Sequence, residues 1–326
     1  EICACLVGSE MCIRDRGSLD VVLIGASQLY TGYSAPLAWR DYGFTSYPLA
    51  VSNIPARLYG SLLTEAVNRQ HPKLIVVDID GFLTDEDPKK LEANLRKWLD
   101  NMPWSRNKIE TIRTCVPAEL QTSFYFNIAK YHANWYQPDT WLPVQQRLRA
   151  MDKTGYSLTK SFEAIGQSLT DADQPDTRPL TLSGANAQYL RDFCAQARSL
   201  GTNVLFLRMP HRTQTTDPNV FADVTAVVGG YGYELLDLHD AFDMIGLDRC
   251  ADFMDSDHLN AIGMETFTAW FGQYLSEHYD LTTAHSETVT AEWQRCADFM
   301  AQILPTCQQQ AADNTKQTLN EFSAAF

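Results

Sequence analysis

The sequence predicts a three-layer α/β/α sandwich with a mostly parallel sheet, similar to the flavodoxin-like folds. Two observations support this fold class: short apolar runs recur along the chain, and segments with helical spacing of apolar residues separate them. Alternation of this kind is typical of parallel sheets covered by helices on both faces. Ligands of such folds bind at the carboxyl ends of the strands, so we expect functional residues directly after the apolar runs.

The sheet is predicted from four apolar runs, each short and continuous as expected of a strand buried on both faces. The predicted strands are Asp20–Gly25, Leu74–Asp80, Asn203–Arg208 and the shorter Tyr233–Leu238. Helical spacing of apolar residues predicts helices at Ile54–Val67, Tyr189–Leu200 and, following Gly263, Met264–His278. Pro72 stops the first of these helices, and Gly201 closes the second.

The alternation stops between about Asn101 and Arg178. This stretch is rich in aromatic residues and then turns polar from Gly166 to Pro179. We interpret it as a partly helical insertion, about 101–180, that lies over the strand ends and shapes a substrate cleft. A helical excursion packed by its own aromatics is an equal alternative. The aromatics are Trp104, Phe124, Tyr125, Phe126, Tyr131, Trp135, Tyr136 and Trp141.

Three parts are predicted along the chain. Residues 1–16 lack the basic start, apolar centre and cleavage site of a signal peptide. Their VGSEMCIRDR segment resembles a translated sequencing-adaptor scar, so we interpret them as a non-native tag. Residues 17–280 are predicted to form the α/β domain, and residues 281–326 a helical C-terminal extension around Trp293 and Phe299.

Composition and charge limit the possible functions. The 326 residues include 40 Asp and Glu against 26 Lys and Arg, a net charge of −14, which argues against nucleic acid or an anionic membrane surface as the main partner. No apolar run reaches the roughly 18 to 20 residues of a membrane-spanning helix, so we expect the chain as given to be soluble. Three of the eight cysteines lie in residues 1–16, and the other five are scattered. Neither a zinc site, a disulfide framework nor a cofactor is predicted.

The tetrapeptide GASQ at residues 25–28 follows the first predicted strand. A serine on a tight strand-to-helix turn presents its hydroxyl at the carboxyl edge of the sheet, where a backbone N–H also faces a developing oxyanion. Ser27 is therefore a candidate nucleophile. Taken alone, the pattern has a plainer interpretation, because serine is common in turns and helix caps.

The second segment suited to chemistry is FMDSDHLNAIG, residues 253–263, at the start of the last predicted core helix. Asp255 precedes His258 by three residues, close enough for its carboxylate to hold the imidazole in one tautomer, as a general base beside a serine requires. The neighbouring Asp257 is expected to point elsewhere. The alternative is an Asp-rich helix cap with an incidental histidine.

Together the two segments resemble the SGNH (GDSL-like) hydrolase superfamily over about Ser18–Asp280. The sequences SLDVVLIGASQLYTGYSAP, the segment Tyr47–Ala50, HPKLIVVDIDGF and DHLNAIG are similar to bacterial SGNH proteins associated with acyl transfer in the cell envelope. The resemblance implies an SGNH hydrolase-like fold in which Ser27 is the nucleophile, His258 the general base and acid, and Asp255 the residue that orients it.

The same resemblance implies a serine esterase or O-acyltransferase that forms an acyl-serine, which water or a sugar hydroxyl resolves. The implied substrate is a small acyl ester, with acetylated carbohydrate as the expected class. Relatives are commonly exported or anchored at the N-terminus, which implies a location outside the cytoplasm or at the membrane. A non-catalytic partner of a membrane acyltransferase is an alternative, and a catalytic triad within hydrogen-bond reach would favour the enzyme.

The sequence departs from the family at the residues that would bind the oxyanion. Ala26 replaces the aspartate of Gly-Asp-Ser, which has little consequence because that aspartate is not the nucleophile. The family's Gly-x-Asn motif after the second predicted strand is absent, and Asp80, an acceptor when ionised, is expected not to donate to the oxyanion. Asn53 is a candidate side-chain donor. The backbone N–H of Ser27 is the one donor assigned directly.

Two residues after the third predicted strand are candidates to line the substrate cleft. Arg208 and His211 follow the apolar run NVLFLR, where ligands of α/β folds bind. A plain surface loop is the alternative. The histidines elsewhere show no metal-ligand spacing.

A rival hypothesis comes from VVDIDGFLTDED, residues 76–87. It resembles the Asp-x-Asp-Gly-x-Leu signature of haloacid-dehalogenase-like phosphatases, in which Asp78 would attack phosphorus, Asp80 would act as acid and base, and Mg²⁺ would neutralise the phosphate. The later Ser or Thr, the Asp-rich metal segment and the phosphate-binding Lys of those enzymes are missing. The plainer alternative is that Asp78 and Asp80 end a strand and cap the next segment.

Overall fold

The computed structural model of the protein describes residues 17–126, 130, 158–163, 165–169 and 176–314, and element labels count only these. Its main strands are β1 (Val21–Gly25), β2 (Ser46–Ala50), β3 (Leu74–Asp78), β5 (Val204–Arg208) and β7 (Glu234–Asp237). These five pair in parallel in the order β2-β1-β3-β5-β7. A separate parallel pair consists of β4 (Thr177–Arg178) and β6 (Gln214–Thr215). Helices flank the parallel sheet, so the predicted three-layer α/β/α fold is confirmed.

The described helices fall into two groups by their position along the chain. The helices up to residue 126 are α1 (Ser27–Gly32), α2 (Ala35–Tyr42), α3 (Tyr59–Gln70), α4 (Asp80–Leu83), α5 (Leu91–Leu99), α6 (Arg106–Cys115) and α7 (Gln121–Tyr125). The helices after residue 180 are α8 (Gly184–Ser199), α9 (Val220–Gly229), α10 (Phe242–Ile245), α11 (Ala261–His278) and α12 (Glu287–Ala312).

All four predicted strands are present in the main sheet, whereas its edge strand β2 and the short pair β4 and β6 were missed. β3 ends two residues earlier than predicted, because the chain turns into α4 at Asp80. The apolar pattern does not predict β2, whose sequence SYPLA is short and contains Pro48. β2 lies at the edge of the sheet, the position in a sheet that tolerates proline.

The last core helix begins before Gly263 and not after it as predicted. The side-chain Oδ1 of Asn260 accepts the backbone N–H groups of Ile262 (2.9 Å) and Gly263 (3.2 Å). These bonds satisfy donors that the first turn of a helix leaves unpaired, so α11 starts at Ala261.

The centre of the sheet is fully enclosed. Every residue of β1, β3 and β5 is buried, which explains why these strands read as continuous apolar runs. Aromatic rings connect the helices to the strands: Tyr59 packs on Phe82 (4.3 Å between ring centroids), Phe82 on Phe193 (6.3 Å), and Phe193 on Phe206 (5.9 Å). Contacts of this kind hold α3, α4 and α8 against β5.

The pairing of β1 with β3 determines which residues meet at the edge of the sheet. Ile24 lies opposite Val77 in the parallel register. Ser27 and Asp80 each follow this pair by three residues, so both emerge at the same carboxyl edge. The last residues of the two strands are in close contact, since a Cβ on Gly25 would lie 2.6 Å from the Cβ of Asp78.

The segments outside the predicted α/β alternation are partly helical in the residues that the structure describes, and the two-residue strand β4 also lies in the predicted insertion. α6 and α7 lie in the predicted insertion, whereas Tyr131, Trp135, Tyr136 and Trp141 fall outside the described residues, as do residues 1–16. In the C-terminal extension, α12 packs on α2 through Trp39 and Trp293, whose rings are 5.8 Å apart. Among the described helices, none combines the length and the apolar character needed to cross a membrane.

The contact between the two turns predicts that Gly25→Ala destabilises the protein. The new methyl group would overlap Asp78 and the Cδ1 of Leu29 (2.7 Å), both in the core, so we expect a loss of about 1–3 kcal/mol in the free energy of unfolding in urea. Gly184→Ala is the matched control, because a Cβ at this first residue of α8 meets open space. Equal unfolding free energies for the two variants would contradict the described packing.

Candidate active site

Ser27, His258 and Asp255 form a continuous hydrogen-bonded chain at the carboxyl edge of the sheet. The Nε2 of His258 lies 2.7 Å from the Oγ of Ser27, although 231 residues separate them in sequence. The Nδ1 of His258 lies 2.9 Å and 3.0 Å from the two carboxylate oxygens of Asp255. An N–H on Nδ1 that donates to Asp255 leaves the Nε2 lone pair facing the serine hydroxyl, which is the tautomer that a general base requires.

The loop that carries His258 is held together by hydrogen bonds among its own residues. The carboxylate of Asp255 accepts the N–H groups of Asp257 (2.8 Å) and His258 (2.9 Å). The N–H of Met254 donates to the carbonyl of His258 (2.9 Å), which closes the loop at its base. The sequence Asp-x-x-His therefore makes a compact turn whose geometry brings the carboxylate to the imidazole.

A second group of contacts ties this loop to its surroundings. The side chain of Asp257 turns away from His258 as predicted, and it accepts hydrogen bonds from Thr213 Oγ1 and from Arg178 (2.5 Å to Nη1). The N–H of Arg212 donates to the carbonyl of Ser256 (2.6 Å). Because Arg178 lies on β4 and Thr213 just before β6, the small β4–β6 pair anchors the loop of His258.

Ser27 is the first residue of α1 and is partly accessible to solvent. The turn before it follows β1 directly, and Gly25 fits there because its neighbour Asp78 leaves no room for a Cβ. Within the described part of the chain, the backbone N–H of Ser27 makes no hydrogen bond, as expected of a first-turn donor that is free to bind an oxyanion.

The electrostatics of the triad favour an ionised Asp255. Burial raises its pKa, but hydrogen bonds from His258 and from the backbone N–H groups outweigh burial, so the net pKa is lowered. A carboxylate in this position stabilises the imidazolium that forms when His258 takes a proton.

Asp78, which is fully buried, and Asp80, which is partly buried, form a carboxyl pair beside the serine turn. Asp78 Oδ1 accepts the N–H group of Asp80 at 3.4 Å. Burial, followed by the nearby charge of Asp80, raises the pKa of Asp78 well above its ordinary range. Burial also raises the pKa of Asp80, to about 6, against the opposing effect of Arg208. The Oδ2 of Asp80 accepts a hydrogen bond from Gln28 Nε2 (3.2 Å).

Arg208 and His211 are buried beside this pair, so the surface-loop alternative is wrong. The Nε2 of His211 lies 3.7 Å from Asp80 Oδ2, and its ring packs edge-on against His239 (4.6 Å). Burial, together with the charge of Arg208, lowers the pKa of His211 well below its ordinary value. Arg208 stacks over Phe221, and its Nη1 lies 3.4 Å from Asp237. The two residues line the same edge of the sheet as Ser27, at the end of β5.

Asn53, the proposed side-chain donor, lies in the loop after β2. Its backbone has a positive φ of 52°, and its side chain is exposed. The side-chain amide donates to the adjacent Ser52 Oγ (3.0 Å). The structure therefore gives Asn53 a local partner and does not bring its amide to Ser27 by any described contact.

The phosphatase hypothesis does not fit the geometry of Asp78. Its side chain has no exposed surface from which to attack phosphorus, and burial raises its pKa well above its ordinary range, which disfavours the ionised carboxylate that such an attack needs. In the described residues, no cluster of three His, Cys, Asp or Glu side chains could hold the Mg²⁺ of that mechanism. Cys194, Cys296 and Cys307 are buried.

Comparisons with protein families and with curated proteins do not assign a function to this site. The chain matches no protein-family model, and no curated protein is detectably similar to it. The case for a function rests on the residues and their geometry.

Four residues of the site were missed by the sequence reasoning. Gln28, Thr213 and Arg178 make side-chain contacts with acidic residues of the site, and His239 packs on His211. Only Gln28 carries a sequence signal, since it follows Ser27 directly. The other three come from loops whose approach to the site depends on the tertiary fold.

The raised pKa of Asp80 predicts a pH-dependent effect of Asp80→Asn on stability. A carboxyl whose pKa is higher in the folded than in the unfolded state stabilises the fold below its unfolded pKa of about 4, and this contribution is lost as pH rises to about 6. We therefore expect Asp80→Asn to raise the unfolding free energy at pH 8, by on the order of 1–3 kcal/mol, and to have little effect at pH 4. Urea denaturation at both pH values measures the difference. Asp85→Asn, at an exposed aspartate, is the control, and an equal effect of both variants at pH 8 would contradict the prediction.

Proposed function

We propose that the protein is a serine hydrolase of the esterase or O-acyltransferase type. Its substrate is a small acyl ester, with acetylated carbohydrate as the expected class, and the reaction passes through an acyl-serine on Ser27. The observation that carries the proposal is the Ser27–His258–Asp255 chain, with distances of 2.7 Å and 2.9 Å between the bonded atoms. These three residue types in this order of contacts are what nucleophilic acyl transfer by serine requires.

The proposed reaction has two halves. In the first, Ser27 Oγ attacks the ester carbonyl carbon while its proton passes to His258 Nε2, and the carbonyl π electrons move to oxygen. The tetrahedral species collapses by breaking the bond to the alcohol, which leaves with the proton from His258. In the second, water or a sugar hydroxyl attacks the acyl-serine by the same steps, and Ser27 regains its proton.

The geometry bears on the alternatives. A non-catalytic scaffold has no need of an imidazole held between a carboxylate and a serine hydroxyl, and a triad within hydrogen-bond reach is the arrangement that favours an enzyme. A phosphatase centred on Asp78 is disfavoured by the burial of that residue. A location outside the cytoplasm and a membrane acyltransferase partner are supported by the family resemblance alone.

Hydrolysis of p-nitrophenyl acetate tests the proposal. We expect Ser27→Ala to lower kcat at least about 10³-fold, because no other group replaces the nucleophile, and EDTA to have no effect. Ser199→Ala, at an exposed serine of α8, is the matched control and should match the parent.

Asp78→Asn separates this proposal from the phosphatase. The serine mechanism predicts that this variant, if folded, keeps esterase turnover. Full activity in Ser27→Ala, or hydrolysis of p-nitrophenyl phosphate that EDTA and Asp78→Asn both abolish, would contradict the serine mechanism.

A further inference from the structure

Asp80 lies at the same carboxyl edge of the sheet as Ser27. It emerges from β3 at the same level as Ser27 from the paired β1, three residues beyond the Ile24–Val77 pair. Gln28, the residue after Ser27, donates its side-chain N–H to Asp80 Oδ2 (3.2 Å). The two turns are thus joined by a direct hydrogen bond beside the nucleophile.

The two oxygens of Asp80 are not equivalent. Oδ2 accepts from Gln28, whereas Oδ1 is buried and has no hydrogen-bond partner among the described residues. An unpaired buried oxygen is costly, and a neutral carboxyl would carry its proton on the oxygen that accepts no bond. That proton would be a buried donor without an acceptor. A negatively charged oxygen of the reacting ester would serve as the acceptor.

The surroundings of Asp80 raise its pKa, so that its neutral form persists to higher pH than that of an ordinary aspartate. Its carboxyl is buried next to Asp78, and Tyr59 lies under the pair, with its ring against the backbone of Gly81. The charged and titratable groups that face Asp80 from neighbouring elements are Asp78, Tyr59, Arg208, Asp237, His211, Asp257 and Arg178. The two arginines favour ionisation of Asp80, but burial and the acidic neighbours outweigh them and raise its pKa to about 6.

We propose that Asp80 is a catalytic residue that binds the developing oxyanion as a neutral carboxylic acid, donating a hydrogen bond from Oδ1. The inference rests on the proposed function. It reverses the expectation from sequence that an aspartate at this position cannot donate. A carboxylic acid kept neutral by its site is an effective oxyanion donor, and it supplements the N–H of Ser27.

The proton of Asp80 stays on Oδ1 throughout the reaction. When Ser27 Oγ bonds to the carbonyl carbon, the carbonyl oxygen gains an electron pair and accepts the hydrogen bond from Asp80. When the bond to the leaving alcohol breaks, that pair returns to the carbonyl and the hydrogen bond weakens. An ionised Asp80 would instead repel the oxyanion, so the ionised form is expected to be inactive.

The test is the pH dependence of kcat/KM for p-nitrophenyl acetate between pH 5 and 9, in the parent and in Asp80→Asn. Asparagine has the same shape and donates an N–H at every pH. In the parent, activity should fall about tenfold per pH unit above the pKa of Asp80. Asp80→Asn should lack this alkaline fall and exceed the parent by about 10- to 100-fold at pH 8. Asp80→Ala, which has no donor, should lose about 10²–10³-fold at the parent's optimum.

The rate of Ser27 labelling by a fluorophosphonate is a second readout, because phosphonylation also develops an oxyanion and needs no turnover. It should show the same alkaline fall in the parent and not in Asp80→Asn. Near-ultraviolet circular dichroism shows whether each variant is folded. If Asp80→Ala fails to fold, the pH profiles of the parent and of Asp80→Asn are compared without it.

The outcomes separate the two proposals. If Ser27 is labelled and turns over ester, but the parent and Asp80→Asn share one pH profile, or Asp80→Asn is as impaired as Asp80→Ala, then the role of Asp80 is wrong and the serine mechanism stands. If the parent shows no activity or labelling that depends on Ser27 at any pH, the proposed function fails, and the role of Asp80 fails with it.

Discussion

The parallel pairing of β1 with β3 is the constraint on which the site depends. It brings the turn of Ser27 against the turn of Asp78 and Asp80, so closely that Gly25 has no room for a side chain. Both strands are completely buried, which fixes their register through the packing of their side chains. The positions of the nucleophile and of its acidic neighbours are therefore set by the core, whereas His258 arrives from a loop more than two hundred residues away.

The edge of the sheet departs from the rule that buried polar groups are paired. Asp80 Oδ1, Gln28 Oε1 and both ring nitrogens of His211 are buried and lack a hydrogen-bond partner among the described residues. Such atoms reduce stability, and these three residues follow β1, β3 and β5 at the carboxyl edge that also carries Ser27. Departures of this kind are expected where a protein binds a ligand or performs chemistry. Ionisation of Asp80 as pH rises is accordingly expected to lower both the stability of the fold and the activity.

The parts of the fold and site that sequence could predict are those with local signals. Continuous apolar runs identified β1, β3, β5 and β7, and the Asp-x-x-His spacing placed Asp255 beside His258. β2 was missed because Pro48 conceals a short edge strand. The anchoring of the His258 loop by Arg178 and Thr213 could not be predicted, because it depends on a two-residue strand pair formed in three dimensions. The protonation of Asp80 was likewise hidden, since burial and neighbouring charges, not residue type, determine its pKa.

The most direct test of the account is to locate the covalent adduct of a fluorophosphonate probe by mass spectrometry of a proteolytic digest. The central claim is that the Ser27 hydroxyl is activated by His258, so the account predicts one adduct, on the peptide that contains Ser27. It also predicts that labelling is lost in Ser27→Ala and strongly slowed in His258→Ala, because the serine then lacks its base. An adduct on another residue, or equal labelling of Ser27 with and without His258, would contradict the account.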